Sequence, residues 1–382
     1  MFSVVIIRSN AVSPDPRVEK TACWLFQSGY KVTVLGWDRE RKSPRTETRQ
    51  GYHIVRYQKR AVYGGGLKNL LKFLMFNLWI WWKLLFTKFD IVHACDLDTV
   101  IPSWFAARLK GKKVVFDIFD IHSEAHFGNS NNWFRKILKF VEKFFINHAD
   151  AVIIVDESRR QQINGTNPRR LEVIYNVPDG SLIEKVLNSQ MVESRENVEN
   201  RRFRIGYVGV LQEGRMLKEL LDLVGNNENL ELYIAGFGIL EDEVKKAAEK
   251  YSNIYFFGKV SYEQALKIYS KCDVIFAVYD PTIPNHRYSS PNKVFEALAL
   301  GIPVIVAKGT GIDNLVATES IGYAVEYGNL EEIKSVFYEV RHRSVEERKA
   351  FAERARRLFL DKYSPEKMRE KLLGLYKRLL GN

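Results

Sequence analysis

Cysteine is scarce in this 382-residue chain: Cys23, Cys95 and Cys272 lie far apart, with no CxxC pair. That excludes a disulfide framework and the usual spacing of a zinc site, and it fits a reducing compartment. Long hydrophobic runs are missing too. The richest apolar stretch is interrupted by Lys72 and Lys83 and falls short of the about 20 residues that a bilayer span needs. The apolar part of the first eight residues is too short for a signal peptide and reads as a first strand. No GxGxxG follows that strand, so an ordinary dinucleotide fingerprint is absent. Acid is sparse near the start: residues 1–90 hold 16 Lys/Arg against 6 Asp/Glu. A second basic segment, 339–382, holds 13 against 7, so with +12 overall the remainder is net −4. Either this is a solvated basic surface, or it faces an anionic partner such as a membrane, a phosphate-bearing substrate or nucleic acid.

The chain does have the makeup of a folded protein, 46% apolar and 27% charged. Its length favours two domains over one. Residues 4–8, 31–36, 53–57, 90–94, 113–117, 151–155 and 171–175 read as strands, with helical patterns over 17–28 and 102–109. After a polar stretch ending in Asn197-Val198-Glu199-Asn200-Arg201-Arg202, the alternation restarts with strands at 203–208, 230–235, 254–257, 273–278 and 303–306. Strands alternating with helices predict an α/β protein of two doubly wound parallel sheets. The expected domains are 1–180 and 203–362, with a linker over 181–202. A basic helix over 363–382 is expected to return toward the first domain.

In such sheets ligands gather beyond the carboxyl ends of the strands. The first such loop offers Asp15 and Arg17. A later one places His122 between Asp120 and Glu124, where it is either a site imidazole or a residue that ties down the loop. Asp96-Leu97-Asp98 has the DxD spacing of metal-dependent sugar transfer, but it starts a helix, and no metal is expected. The helix expected over 67–89 carries Trp79, Trp81 and Trp82 with Lys68, Lys72 and Lys83 in one sector. That pattern suits a helix lying in a membrane interface, or a crossover helix buried against the sheet.

In the second domain the loop after the first strand gives Gly209, Arg215 and Lys218, and a guanidinium there matches a diphosphate. Gly236 and Gly238 end the next strand, where a ligand can approach the backbone. Val260 closes the third. The densest stretch runs from Tyr288 to Ile305. Ser290 is expected to cap a helix, with Pro291 in its first position, leaving free amides for a phosphate. Lys293 and Glu296 lie on that helix, Gly301 stops it and a buried strand follows. An ordinary helix–strand unit with a solvated Lys and Glu is the bland alternative.

The order and spacing of these segments resemble the retaining nucleotide-sugar glycosyltransferases of family 4. The matching residues are Asp15-Pro16-Arg17-Val18-Glu19-Lys20, Gly29-Tyr30-Lys31, Asp90-Ile91-Val92-His93-Ala94, the Asp117-to-Glu124 loop, Ile205-Gly206-Tyr207-Val208-Gly209, Ala235-Gly236-Phe237-Gly238, Phe257-Gly258-Lys259-Val260 and the Ser290-to-Pro303 stretch. The resemblance covers nearly the whole chain and implies the GT-B fold, two facing Rossmann-like domains with a cleft between them. It implies donor contacts from Gly209, Arg215, Lys218, Gly236, Gly238, Val260, Tyr288, Ser289, Ser290, Lys293 and Glu296, with Glu296 holding the nucleotide ribose. His122 would stand beside the transferred sugar, and Asp15, Arg17, Asp120 and Glu124 on the acceptor side. Three departures stand out. Tyr288 occupies the place of the first acid of the Glu-x7-Glu motif, Val210 the place of an arginine, and the first loop lacks its glycine pair.

The expected activity is metal-independent, cofactor-free sugar transfer from a nucleotide diphosphate, with retention, in polysaccharide or glycolipid synthesis. The acceptor would be a saccharide or membrane-associated, and the protein cytoplasmic and peripheral at the inner face of the membrane. The alternatives are a non-catalytic nucleotide-sugar or glycan-binding protein, and a nucleotide-sugar epimerase of the same fold. Nucleic acid is not an expected partner, because the aromatics cluster in one helix rather than interleaving with basic residues on strands.

Overall fold

The computed structural model describes residues 1–61, 69–125, 133–189 and 201–381. The chain divides into two compact units, Met1–Tyr175 with Met368–Asn382, and Asn176–Lys367. The division thus falls at Tyr175, ahead of the expected linker. Gly180–Asn188, placed in that linker on sequence, is a helix of the second unit, and residues 190–200 lie outside the described residues. Its apolar Ile183 and Val186 are buried, and Asp179 caps its start.

The strands of unit 1 are β1 (Ser3–Ile7), β2 (Lys31–Asp38), β3 (Thr46–Arg49), β4 (Tyr52–Gln58), β5 (Ile91–Cys95), β6 (Lys113–Ile118), β7 (Ala151–Ile154) and β8 (Leu171–Val173). Its helices begin with α1 (Pro16–Gln27), α2 (Leu70–Phe86), α3 (Leu97–Leu109), α4 (His122–Ala125), α5 (Trp133–His148) and α6 (Arg159–Gln162). The strand order is β3-β4-β2-β1-β5-β6-β7-β8, parallel except for β3 against β4. β1, β5 and β7 are almost entirely apolar and buried, as strands covered on both faces must be. β3 went unread in the sequence because Thr-Glu-Thr-Arg is a polar edge strand with only four residues.

One side of α2 is buried against the sheet, as the crossover reading of its sequence expects. Phe76, Ile80 and Leu84, four residues apart, are buried in the same core as the sheet, and Trp37 stacks on Phe76 at 4.9 Å. The opposite side is exposed yet still apolar. Lys72 and Lys83 are half-buried on the flank, Trp79 and Trp81 are half-buried, Trp82 is exposed, and Lys68 lies outside the described residues. Among the described residues no helix is long and apolar enough to cross a membrane.

Unit 2 contains α7 (Gly180–Asn188), β9 (Phe203–Val210), α8 (Leu217–Gly225), β10 (Leu230–Phe237), α9 (Glu241–Lys250), β11 (Ile254–Phe256), α10 (Tyr262–Ser270) and β12 (Val274–Ala277). It continues with α11 (Pro284–Arg287), α12 (Asn292–Leu300), β13 (Val304–Ala307), α13 (Ile312–Thr318), β14 (Gly322–Val325), α14 (Leu330–Arg341) and α15 (Val345–Leu358). The sheet order is β11-β10-β9-β12-β13-β14, all parallel. Both units are therefore doubly wound α/β sheets, as the alternation of strands and helices implies.

The last helix, α16 (Pro365–Leu380), is counted with unit 1 from Met368 onward. Met368, Leu372, Leu375 and Tyr376 are buried, and the Tyr376 ring meets Tyr30 edge-on at 5.8 Å. Tyr376 also hydrogen-bonds Nδ1 of the buried His93 at 2.7 Å.

Candidate functional site

In unit 2, β9 lies between β10 and β12, so the chain leaves its two sides in opposite directions. The crevice at that switch point is where open α/β sheets bind ligands. Tyr207 and Gly209, two residues apart on β9, point to one face of the strand. Arg215 follows in the loop before α8, Tyr279 comes just after β12, and Lys293 reaches in from the first turn of α12.

These side chains form one cationic, aromatic cluster. The Arg215 guanidinium donates to Tyr279 Oη at 3.0 Å and to Tyr207 Oη at 3.4 Å, and lies 4.4 Å from the Tyr279 ring centre. The Lys293 ammonium sits 3.7 Å from the centre of the Tyr207 ring and 5.6 Å from that of Tyr279. A Cβ placed on Gly209 would stand 3.5 Å from Lys293 Nζ. Lys293 is only 5% exposed, and its Nζ has no hydrogen-bond partner among the described residues. Burial, reinforced by Arg215, pushes the Lys293 ammonium well below its usual range, while Glu296 pulls the other way. Two cations sharing a desolvated crevice leave an unmet demand for negative charge.

His286 extends the cluster. It is buried, its ring lies 5.3 Å from that of Tyr279, and Nδ1 has no partner among the described residues. Burial and the Arg215 charge lower its pKa, which keeps the imidazole neutral near pH 7. Glu296, one turn beyond Lys293, is buried and bonded by the Tyr262 phenol from the start of α10. Burial and that carboxylate push the Tyr262 phenol well above its usual range.

Of the expected donor residues, Gly209, Arg215, Lys293 and Glu296 are thus brought to the crevice and its rim. Lys218 is not: it is exposed and paired with Glu213 at 2.7 Å and Glu243 at 3.6 Å. Gly236 has a different reason from ligand approach. A Cβ there would come within 1.8 Å of the Gly209 carbonyl oxygen, so it is the neighbouring strand that demands glycine. Gly238 meets the Leu211 carbonyl in the same way, at 2.3 Å. Val260 is half-buried in the loop before Ser261, which caps α10 through a capping box with Gln264. Tyr288, Ser289 and Ser290 are half-buried; Ser289 Oγ donates to the His286 carbonyl at 3.0 Å. The start of α12 differs from expectation by one residue. Pro291 is itself the cap, Asn292 opens the helix, and no side chain caps it. Gly301 does stop the helix, in the left-handed region with φ 70°.

Tyr207, Tyr279, Tyr262 and His286 were not singled out in the sequence. Tyr207 was legible by strand alternation with Gly209. The others depend on which loops the sheet order brings together, and that order is not written in local pattern.

In unit 1 the corresponding switch point lies between β1 and β5. Arg8 and Asp96, which follow those strands, are ion-paired there, and Arg8 also bonds Asp15 at 3.2 Å. Asp96 Oδ1 accepts from the Phe119 amide at 2.8 Å and the Asp120 amide at 3.1 Å. Asp96 thus fixes the loop that leads to His122. Arg17, expected at the sheet mouth, is instead buried beneath it. It grips Asp117 through Nε at 3.2 Å and Nη2 at 2.8 Å, and donates to the Ile174 carbonyl at 2.8 Å. Asp15 is occupied as the cap of α1, accepting from the Val18 amide at 3.2 Å. Both side chains are thus engaged by partners within this unit.

His93, Cys95 and Asp117 lie close enough to hold a metal ion. Asp117, however, accepts from Arg17 and at 3.2 Å from His93, whose other nitrogen meets Tyr376. Burial alone would raise the Asp117 pKa, but Arg17 and His93 hold it down to about 2. The cluster is a satisfied ion-pair network.

His122 opens the single turn of α4 and is half-buried. The next amide, Ser123, donates to Glu142 Oε1 at 3.2 Å, and Arg135 Nε donates to the Ser123 carbonyl at 3.2 Å. Asp120 pairs with Arg159 at 3.2 Å, and Glu124 accepts from Gln162 at 2.6 Å. The loop that presents His122 is therefore held from α5 and α6. Glu142, unread in the sequence, is the buried anchor, its pKa raised by burial.

Residues 17–179 match the family model described as Glycosyltransferase Family 4, and residues 190–358 the one described as Glycosyl transferases group 1. An uncharacterized glycosyltransferase of Methanocaldococcus jannaschii is 24% identical over 80% of this chain and 80% of its own length. The capsular polysaccharide biosynthesis glycosyltransferase CapM of Staphylococcus aureus is 24% identical over 64% of this chain and 66% of its own. Among solved structures, sucrose-phosphate synthase of Thermosynechococcus elongatus superposes over all of both chains with a TM-score of 0.76 at 14% identity. HepE of Anabaena, solved with UDP, gives 0.70 at 15% identity over 99% of this chain and 100% of its own. At such identities these structures speak for the fold. With two doubly wound sheets, each matched by its own family model, the chain belongs to the GT-B glycosyltransferases, family 4 in its first unit and group 1 in its second.

Proposed function

We propose that the chain transfers a sugar from a nucleoside diphosphate to an acceptor hydroxyl with retention of configuration and without a metal ion. The observation that carries this reading is the pair of basic side chains at the β9–β12 switch point, Arg215 and Lys293, whose Nζ has no hydrogen-bond partner among the described residues. As the bond from the anomeric carbon to the diphosphate breaks, negative charge grows on the leaving oxygen. Preorganised cations in a desolvated crevice stabilise that charge without reorganising, commonly the largest single term in such catalysis. They supply what a divalent ion would otherwise supply. The acceptor oxygen bonds to the anomeric carbon on the face the diphosphate leaves, and the acceptor proton passes to the departing phosphate. Glu296, oriented by Tyr262, takes the ribose hydroxyls, and His122 of unit 1 orients the transferred sugar. Asp120 and Glu124 shape the acceptor side of that loop through their own anchored partners.

HepE solved with UDP, and an Escherichia coli protein solved with UDP-2-fluoro glucose, make UDP the first nucleotide to test. The CapM likeness supports a role in capsular polysaccharide synthesis. The basic excess of residues 1–90, together with the apolar outer side of α2, is the ground for an acceptor carried at the inner membrane face. Thermal-shift titration against a panel of nucleoside diphosphates and their sugars tests the donor site. His122→Ala should keep nucleotide binding and lose transfer; unchanged turnover would remove His122 from the mechanism. Tyr288, in place of an acid, keeps a non-catalytic binding role in view, which donor consumption only in the presence of acceptor would exclude.

A further inference from the structure

Three neighbouring helices of unit 1 leave apolar side chains facing outward. α2, α3 and α5 share one core, and α3 packs against both of the others. A helix covering a sheet should turn polar residues to water. On α2 the side opposite Phe76, Ile80 and Leu84 instead carries Leu71, Leu78 and Trp82, 70%, 66% and 60% exposed. The last turn of α3 exposes Leu109. α5 has three arcs. Phe145 and Ile146 are buried, Trp133, Ile137 and Phe140 form an exposed apolar line, and Lys136, Lys139 and Lys143 run beside it.

The charge on this surface has one sign. The three helices carry seven Lys and Arg, and their only acids are Asp98 and Glu142. Glu142 is buried and committed to Ser123, and Asp98 is half-buried at the start of α3. Apolar rows bordered by lysines, with no exposed acid, match the boundary of an anionic bilayer, where acyl chains meet phosphate headgroups. A water-soluble monomer rarely exposes so large an apolar patch without a use for it.

We propose that α2, the end of α3 and the outer edge of α5 form one bilayer-docking face for anionic phospholipid. Trp82, Trp133 and Phe140 enter the headgroup boundary, and the flanking lysines meet the phosphates. Because α5 also anchors the His122 loop through Glu142 and Arg135, docking brings that loop to the lipid surface, which suits an acceptor carried on a lipid. This extends the membrane-side reading above from one helix to a three-helix face, and its test involves no turnover.

The test is sedimentation of the full chain with phosphatidylcholine vesicles, with and without phosphatidylglycerol, at low and high salt. The wild type should sediment with the anionic vesicles and be released by salt. Ile137→Glu/Phe140→Glu and Leu78→Glu/Trp82→Glu change only exposed positions. Each pair should weaken vesicle affinity about ten-fold or more while keeping the wild-type melting temperature and nucleotide binding. Wild-type affinity in the α5 pair overturns the three-helix face even if α2 still binds. A wild type that ignores vesicles but runs as a dimer, with both variants monomeric, overturns it in favour of contact between copies. Failed sugar transfer with intact vesicle binding would leave this inference standing and strike only the catalytic reading.

Discussion

Lys293 is held in a place where its charge is unwelcome until an anion arrives. Arg215 repels it, the faces of Tyr207 and Tyr279 attract it weakly, and Glu296 is the compensating charge nearby. Its folded pKa is lowered, so the unfolded chain binds more protons in the window between the lowered value and the usual one. Stability therefore rises with pH through that window. Lys293→Met removes the penalty. It should raise the melting temperature of unit 2 by roughly 2–4 °C for each kcal/mol recovered, while abolishing nucleotide diphosphate binding. Within that same window a bound diphosphate restores the charge, so binding there takes up a proton. Calorimetric heats should then depend on the buffer's ionisation enthalpy for the wild type, but not for Lys293→Arg, whose guanidinium stays protonated. Buffer-independent heats in the wild type would mean that Lys293 is already charged. Lys293 itself was legible as a helix-start lysine. Its surroundings were not, because its burial, with no hydrogen-bond partner for Nζ among the described residues, depends on Tyr207, Tyr279 and Arg215, which arrive from distant parts of the chain.

At the scale of elements, α12 shows what local pattern does and does not reveal. Its apolar run, its glycine stop and the following strand were readable because each rests on neighbouring residues. The start was off by one because Ser290 and Pro291 are both plausible caps, and the choice is made by how the preceding α11 turn delivers the chain. Gly301 is held at φ 70°, and a Cβ there would meet the Ala352 backbone at 2.9–3.0 Å. Gly301→Ala should therefore cost about 1–3 kcal/mol, read as a lower denaturation midpoint with an unchanged m-value. No loss would mean that α15, which carries Ala352, can yield. β14 was missed in the sequence because Gly-Tyr-Ala-Val is a short edge strand. α7 was missed because a charged stretch follows it. In both cases weak local signal was overruled by a tertiary seat.

For the molecule as a whole, two sheets were legible because period-two and period-3.6 patterns alternate twice. Their boundary was not, since Asn176-Val177-Pro178 reads as a loop equally well on either side. α16 supplies Met368, Leu372, Leu375 and Tyr376 to unit 1, and Arg378 pairs with Glu172 at 2.9 Å. Removing residues 368–382 should therefore melt unit 1, seen as protease cleavage within residues 1–175, while unit 2 still binds nucleotide. A truncated chain with an unchanged proteolysis pattern would show that α16 is dispensable.

The bond between Tyr376 and His93 also bears on how the protein is made. On the ribosome, residues 176–367 emerge as one continuous stretch that can close by itself. The earlier-born unit must wait for a helix synthesised after all of its neighbour. Until then the seat of Tyr376, beside the buried ion-pair network of His93, Asp117 and Arg17, lies open. Birth order and completion order are thus reversed, and the interval between them is when the nascent chain is most exposed to aggregation or to capture by chaperones.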